Sequence, residues 1–351
     1  MNPRAIELVH EDLDKALKGQ VERLAPLKGD MLVVTGGTGF MGTWISELVA
    51  YLNDRHAFET RLVLLARSTD QFRSQRPHLA NREDIQLLKS DVRHTIEVPK
   101  ETNWLIHAAA NPDTRFHSNN PIETMSVIAD GTTAILRAVD RCSHFKMFLN
   151  VSSGLIYGSQ PVDLDRMPEH YSGAPLCGSN ASAYAEAKRY AETLCSAARS
   201  QARIPVATVR PFAFIGPYQS LESPWAINSF VKDALTGNPI RVLGDGKTVR
   251  SYMYASDMAV WMLRILTGAT SGQSYNIGST EAISLESLAE LVAGHFSARP
   301  EIRLGLGVGE IYRQRSRLVP DVTLAQGLGL ELKTNLAEAL GRTIQWNRLQ
   351  A

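Results

Sequence analysis

Apolar residues recur every three or four positions through Ile6, Val9, Leu13, Ala16, Leu17, Val21 and Leu24, with charged residues between them. That spacing predicts an amphipathic helix across residues 1–30, packed on the main body or on a partner subunit and ended by Pro26 and Gly29. Short apolar runs follow at Met31 to Val34, Arg61 to Ala66, Ile85 to Leu88, Trp104 to His107, Met147 to Val151 and Val206 to Arg210. Each predicts a buried strand. Between them, Trp44, Ile45, Leu48, Val49 and Leu52 fall at helical spacing, and Glu123 to Ala138 and Ser182 to Arg199 predict long helices.

Strands alternating with helices mean a parallel sheet covered on both faces, and right-handed crossovers then dictate a doubly wound α/β topology. Residues 31–217 form this expected unit. Pro and Gly are frequent between Ser159 and Gly178, as in a long excursion, and beyond Gly216 short strands, loops and helices mix. Residues 218–351 are therefore expected to supply mainly a smaller mixed α/β lobe over the carboxyl ends of the strands, with segments returning to the main unit.

Composition narrows the partners. Lys and Arg number 37 against 36 Asp and Glu, which argues against nucleic acid, since phosphate binding needs a basic excess or patch. Three cysteines at wide spacing, Cys142, Cys177 and Cys195, form neither a disulfide framework nor a zinc ribbon. The first thirty residues lack the apolar core of a secretory signal and no run approaches a membrane span, so the expected location is the cytoplasm.

Gly36, Gly39 and Gly42 stand as G-x-x-G-x-x-G between the first strand and its helix. Such a turn brings backbone amides close to a pyrophosphate, and the helix N-terminus adds free N–H groups and a positive dipole end. Tyr184 and Lys188 form Y-x-x-x-K, which puts them on one helix face about 6 Å apart along the axis. A nearby ammonium lowers a phenol's pKa, so Tyr184 is a candidate proton handler for a carbinol. Ser152 and Ser153 close the fifth strand, and a hydroxyl there suits a hydrogen bond to the reacting oxygen.

Taken in order, Thr35-Gly36-x-x-Gly39-x-x-Gly42, Asp91-Val92, His107-Ala108-Ala109, Ser152-Ser153 and Tyr184 to Lys188 resemble the extended short-chain dehydrogenase/reductase family of nucleotide-sugar epimerases and dehydratases. Arg210-Pro211 through Gly216-Pro217, Gly244-Asp245-Gly246 through Arg250 to Asp257, Tyr275 to Gly278 and Pro320-Asp321 are similar to its later motifs. The resemblance implies a Rossmann sheet holding NAD or NADP. It places the pyrophosphate on Gly36, Gly39, Phe40, Met41 and Gly42, the adenine by Asp91 and Val92, and the rest of the cofactor along Ala108, Ala109 and Pro211. It makes Tyr184 the acid/base, has Lys188 bind the nicotinamide ribose, puts Ser153 at the catalytic Ser/Thr position, and gives Arg250 and one of Arg313, Arg315 or Arg317, here Arg315, to the substrate diphosphate. It also implies a homodimer joined through the helices around Glu123 to Ala138 and Ser182 to Arg199.

Departures narrow the chemistry the resemblance implies. Gly154 and Leu155 stand where dehydratases of the family carry Asp-Glu, and decarboxylases keep a Glu at the place of Leu155, so both reactions are disfavoured. Ile128 and Ala213 replace two family asparagines. What is left is a 4-epimerase, or a 4-reductase or dehydrogenase, of a nucleotide-activated sugar. The second strand ends in Ala66-Arg67-Ser68 without an acidic residue for a ribose 2′-OH, which favours NADP(H), with NAD(H) the alternative. Two further readings stay open: a non-catalytic dinucleotide-sensing module, and a reductase of a non-sugar carbonyl.

Overall fold

The computed structural model describes residues 2–94, 96–306 and 317–350. In chain order the strands are β1 (Met31–Thr35), β2 (Arg61–Ala66), β3 (Ile85–Lys89), β4 (Trp104–His107), β5 (Met147–Val151), β6 (Val206–Pro211), β7 (Ala213–Ile215), β8 (Ile240–Leu243), β9 (Val249–Arg250), β10 (Tyr252–Tyr254), β11 (Ser274–Ile277), β12 (Ile283–Ser284), β13 (Ile302–Leu306) and β14 (Arg317–Leu318). The helices are α1 (Pro3–Ala16), α2 (Phe40–His56), α3 (Asp70–Gln75), α4 (Pro77–Ala80), α5 (Thr114–Asn119), α6 (Pro121–Val139), α7 (Ala183–Gln201), α8 (Ala226–Leu235), α9 (Ala255–Gly268), α10 (Leu285–Ala293), α11 (Thr323–Gly327) and α12 (Leu336–Gln350).

Seven strands form one parallel sheet in the order β11-β6-β5-β4-β1-β2-β3. β1 and β5 are buried along their whole length, which is why they read as near-continuous apolar runs, interrupted only by Thr35 and Asn150, rather than alternating ones. The doubly wound topology is as expected. The strand order reverses beside β1, and the crevice at the carboxyl ends of β1 and β4 is where such sheets bind ligands. The seventh strand, β11, arrives late in the chain at the sheet edge, after an excursion through β7 to β10. One face of the sheet packs against α2 and α9 through Trp44, Leu48, Met258 and Leu263, and the other against α6 and α7 through Ile135, Val139 and Cys195. The later segments have their own apolar cluster, including Phe230, Val242, Leu288 and Leu340.

The N-terminal helix is shorter than its periodicity predicts. α1 starts at an Asn2 cap with Pro3 in its first turn and ends at Ala16. Gly19 then turns with φ +76°, and a 3₁₀ turn spans Glu22–Leu27. Leu24 and Leu27 are still buried, so the apolar pattern continues past the point where the helix stops. α1 packs on the main body, against α2, α9 and α12. Asp12 ties it down, accepting from Arg342 Nε at 2.7 Å and Tyr254 Oη at 2.6 Å.

Candidate active site

The turn after β1 is shaped for close approach. Gly36 has φ +66°, and a Cβ there would stand 2.9 Å from Ala108 O. On Gly42 a Cβ would run into the backbone carbonyl of Gly37, so α2 can lie this close to the turn only with glycine. Gly39 is the N-cap of α2 and no side chain caps that helix, so the first-turn amides of Phe40, Met41 and Gly42 are available to an anion. Ala108 and Ala109 follow β4 alongside, the Ala108 amide donating to Thr35 O and the Ala109 amide to Thr35 Oγ1. These residues fit a dinucleotide pyrophosphate. His107 is structural: its ring nitrogens meet Thr35 Oγ1 at 2.8 Å and Thr132 Oγ1 at 3.2 Å, and burial pushes its pKa down to about 3.

At the far end of β2, Arg67 is largely exposed and lies 3.7 Å from Glu123 on α6. Ser68 follows it, exposed. Arg93, which sequence reasoning passed over, lies 3.6 Å from the same carboxylate. It also grips Asp91 through Nη2 at 2.6 Å and Nε at 3.0 Å, and these bonds hold the Asp91 carboxyl down at about 2. Val92 is buried against Gly131 of α6. Two guanidiniums thus converge on one corner.

Ser153, Tyr184 and Lys188 come together at the carboxyl end of β5. Ser153 is extended, and its Oγ accepts from the Leu155 amide at 3.1 Å, starting the 3₁₀ turn Gly154–Tyr157. Tyr184 sits in the first turn of α7 and Lys188 one turn on. Lys188 is buried, donates from Nζ to Val151 O at 2.6 Å and lies 5.8 Å from the Tyr184 ring centroid. Burial pushes Tyr184 up to about 12, offset in part by a hydrogen bond with Ser153. Burial likewise brings Lys188 down to about 8. From the protein's own groups alone, desolvation outweighs the acidification of the phenol that the spacing suggested.

The surroundings of the pair were not legible in sequence. Ile128 of α6 packs with Ala187 and Ala191 of α7, and Tyr184 and Ala110 pack against this cluster. The replaced asparagine therefore leaves an apolar wall beside Lys188, and α6 runs unbroken past it. His117 of α5 stacks on the Tyr184 ring, with centroids 4.2 Å apart and planes 6° apart. Phe212 packs on Gly154, where a Cβ would stand 2.9 Å from its ring. Leu155 is half-buried.

Pro211 ends β6 and pairs with Ile277. Its neighbour Arg210 points elsewhere, to Glu192 at 2.7 Å and to Tyr157 Oη and Glu169 O, which anchors the excursion after β5. Arg250 lies on β9, between β12 and β14, and its Nη1 donates to Val249 O at 2.7 Å. Arg317 donates to Asp165 O at 3.0 Å. Arg313 and Arg315 lie outside the described residues. Among the described residues no helix is long and apolar enough to cross a membrane, and no group of acidic, His or Cys side chains is arranged to hold a metal ion.

The NAD dependent epimerase/dehydratase family model matches residues 32–278. A curated relative, UDP-glucuronic acid decarboxylase 2 of Arabidopsis thaliana, is 28% identical over 89% of this chain and 67% of its own length. The solved UDP-glucose 4-epimerase of Thermus thermophilus in complex with NAD is 21% identical, with TM-score 0.74 over 91% of this chain and 99% of its own. The dTDP-glucose 4,6-dehydratase of Bacillus anthracis, also in complex with NAD, is 21% identical, with TM-score 0.73 over 91% and 96%. The names of these three similar proteins carry three different reactions.

Proposed function

From the premise that the chain belongs to the NAD dependent epimerase/dehydratase family, we propose that it is an NAD(P)-dependent 4-epimerase, or 4-reductase or dehydrogenase, of a nucleotide-activated sugar. The observation that carries this reading is the group of Ser153, Tyr184 and Lys188 at the carboxyl edge of the same parallel sheet as the glycine turn, with Gly154 and Leu155 next to it. Gly36, Gly39, Phe40, Met41 and Gly42 would hold the dinucleotide pyrophosphate, Asp91 and Val92 the adenosine, and Ala108, Ala109, Pro211 and Lys188 the remainder. The nicotinamide, when bound, supplies reversible hydride exchange at carbon.

The protein's own residues handle the proton. Tyr184 Oη takes it from the carbinol or returns it, and a positive charge brought beside the phenol moves its pKa down toward neutrality. Ser153 steadies the charge that develops on the substrate oxygen. Lys188, anchored on Val151 O, orients the ribose. Neither Gly154 nor Leu155 is an acid or a base, and the Phe212 ring fills the space a longer side chain at 154 would need. Loss of water or carbon dioxide from the sugar has no added proton donor there, which favours plain carbinol chemistry over the decarboxylation named for the curated relative. Arg67 and Ser68, with Arg93 beside them, favour NADP(H), and NAD(H) is the alternative. Arg250 and Arg315 remain the candidates for the substrate diphosphate.

Mass spectrometry of ligands released from the purified protein tests the reading. Tightly held NAD indicates an epimerase, and exchangeable NADP a reductase. Tyr184→Phe is expected to lower turnover by about 10²–10⁴-fold with dinucleotide binding intact. Undiminished biological activity in that variant would move the assignment to a dinucleotide-sensing module.

A further inference from the structure

We propose that His117 is a positioning residue for Tyr184: its flat ring walls off one face of the phenol and keeps water from the proton that Tyr184 handles. This rests on the reading of Tyr184 as the proton handler.

The geometry is specific. The two rings are parallel within 6° with centroids 4.2 Å apart, a face-to-face stack. His117 is itself buried, and its Nε2 lies 2.6 Å from Asn111 O. A carbonyl oxygen only accepts, so Nε2 carries the hydrogen and the ring is pinned by it. Asp113 caps α5 through the Arg115 amide at 2.8 Å, which sets the helix and its imidazole against α7. The charged groups that bear on the imidazole are Asp113, itself paired with Arg115, and Lys188 of α7. Burial, the largest influence, and the Lys188 ammonium push its pKa down, while the Asn111 bond and Asp113 oppose them. The balance favours the neutral ring. Ser153 hydrogen-bonds Tyr184, which also packs against the cluster of Ile128, Ala187 and Ala191.

A wall of this kind has a chemical consequence. Tyr184 is half-buried, and where the stacked ring keeps water from its face, a cation near the phenol acts through a lower dielectric and shifts its pKa more than in water. The proton then passes to the substrate oxygen rather than leaking to solvent.

The test is an alkaline titration of the full-length protein carrying [¹³Cζ]tyrosine, with the Tyr184 signal assigned by its loss in Tyr184→Phe. The wild-type signal is expected to show no ionisation through about pH 10.5, above the ordinary phenol value. His117→Ala and His117→Thr each open the face and are expected to lower the Tyr184 pKa by about one unit or more. His117→Phe restores a flat ring and is expected to titrate as wild type. A wild-type signal that titrates as an ordinary phenol overturns the proposal. So does an unshifted Ala or Thr variant with native circular dichroism, or a Phe variant that behaves like Ala. Should Ala fail to fold, Thr and Phe carry the comparison. Full turnover in Tyr184→Phe would instead overturn the proton-handler reading, and the titration would still report whether His117 shields the phenol.

Discussion

Tyr184 and Lys188 show how far residue spacing carries. Their one-turn separation and common helix face follow from four positions in the chain, but their ionisation does not. Burial moves the phenol up and the ammonium down, each toward its neutral form. Spacing cannot report this, because residues packed around the pair, such as Ile128 on α6 and His117 on α5, lie far from it in sequence. Arg67 is the opposite case: its position after β2 was readable, but Arg93, which lies by the same Glu123 carboxylate, was not. Arg67→Ala is expected to weaken NADPH at least about tenfold, near 1.4 kcal/mol, while leaving NADH little changed, as measured by fluorescence titration. Equal losses for both cofactors would mean that Arg67 serves the shared adenosine.

At the scale of elements, α9 carries a buried carboxylate whose role depends on a distant segment. Asp257 accepts from the Lys333 amide at 3.1 Å and the Thr334 amide at 3.0 Å, closing the approach to α12. Burial outweighs those bonds and pushes its pKa up to about 7. The folded state therefore binds more protons than the unfolded chain between about pH 4 and pH 7, and this group's contribution to stability falls as pH rises through that window. Asn keeps an acceptor oxygen and removes the charge. Asp257→Asn is expected to gain about 1 kcal/mol or more relative to wild type between pH 4.5 and pH 8, read from urea midpoints at each pH. A constant difference across the range would show that Asp257 does not titrate there. The sequence placed Asp257 in a motif; only the fold shows what the motif holds. α1 teaches the converse, since its apolar period runs on through Leu24 although Gly19 has already turned the chain.

For the whole molecule, α6 and α7 lie against each other on one side of the sheet. Ile122 and Met125 of α6 and Tyr190 of α7 expose 83%, 42% and 53% of their surface, more than large apolar side chains usually leave bare. A homodimer through these helices would cover them. Combining Ile122→Glu with Tyr190→Glu is then expected to convert a dimer to a monomer in light scattering with little change in secondary structure. A wild-type protein that is already monomeric removes the proposal.

The sequence by itself determined the local grammar of this protein: a buried strand, a glycine turn and a helix, then a serine pair and a tyrosine–lysine turn. These follow from short-range rules, namely side-chain periodicity, the room glycine leaves for backbone, and the pitch of a helix. The tertiary structure alone decided which distant residues share one place: His117 on Tyr184, Phe212 on Gly154, Arg93 beside Arg67, and β11 at the sheet edge. Desolvation and electrostatic coupling depend on separation in space, and chain distance carries no record of it.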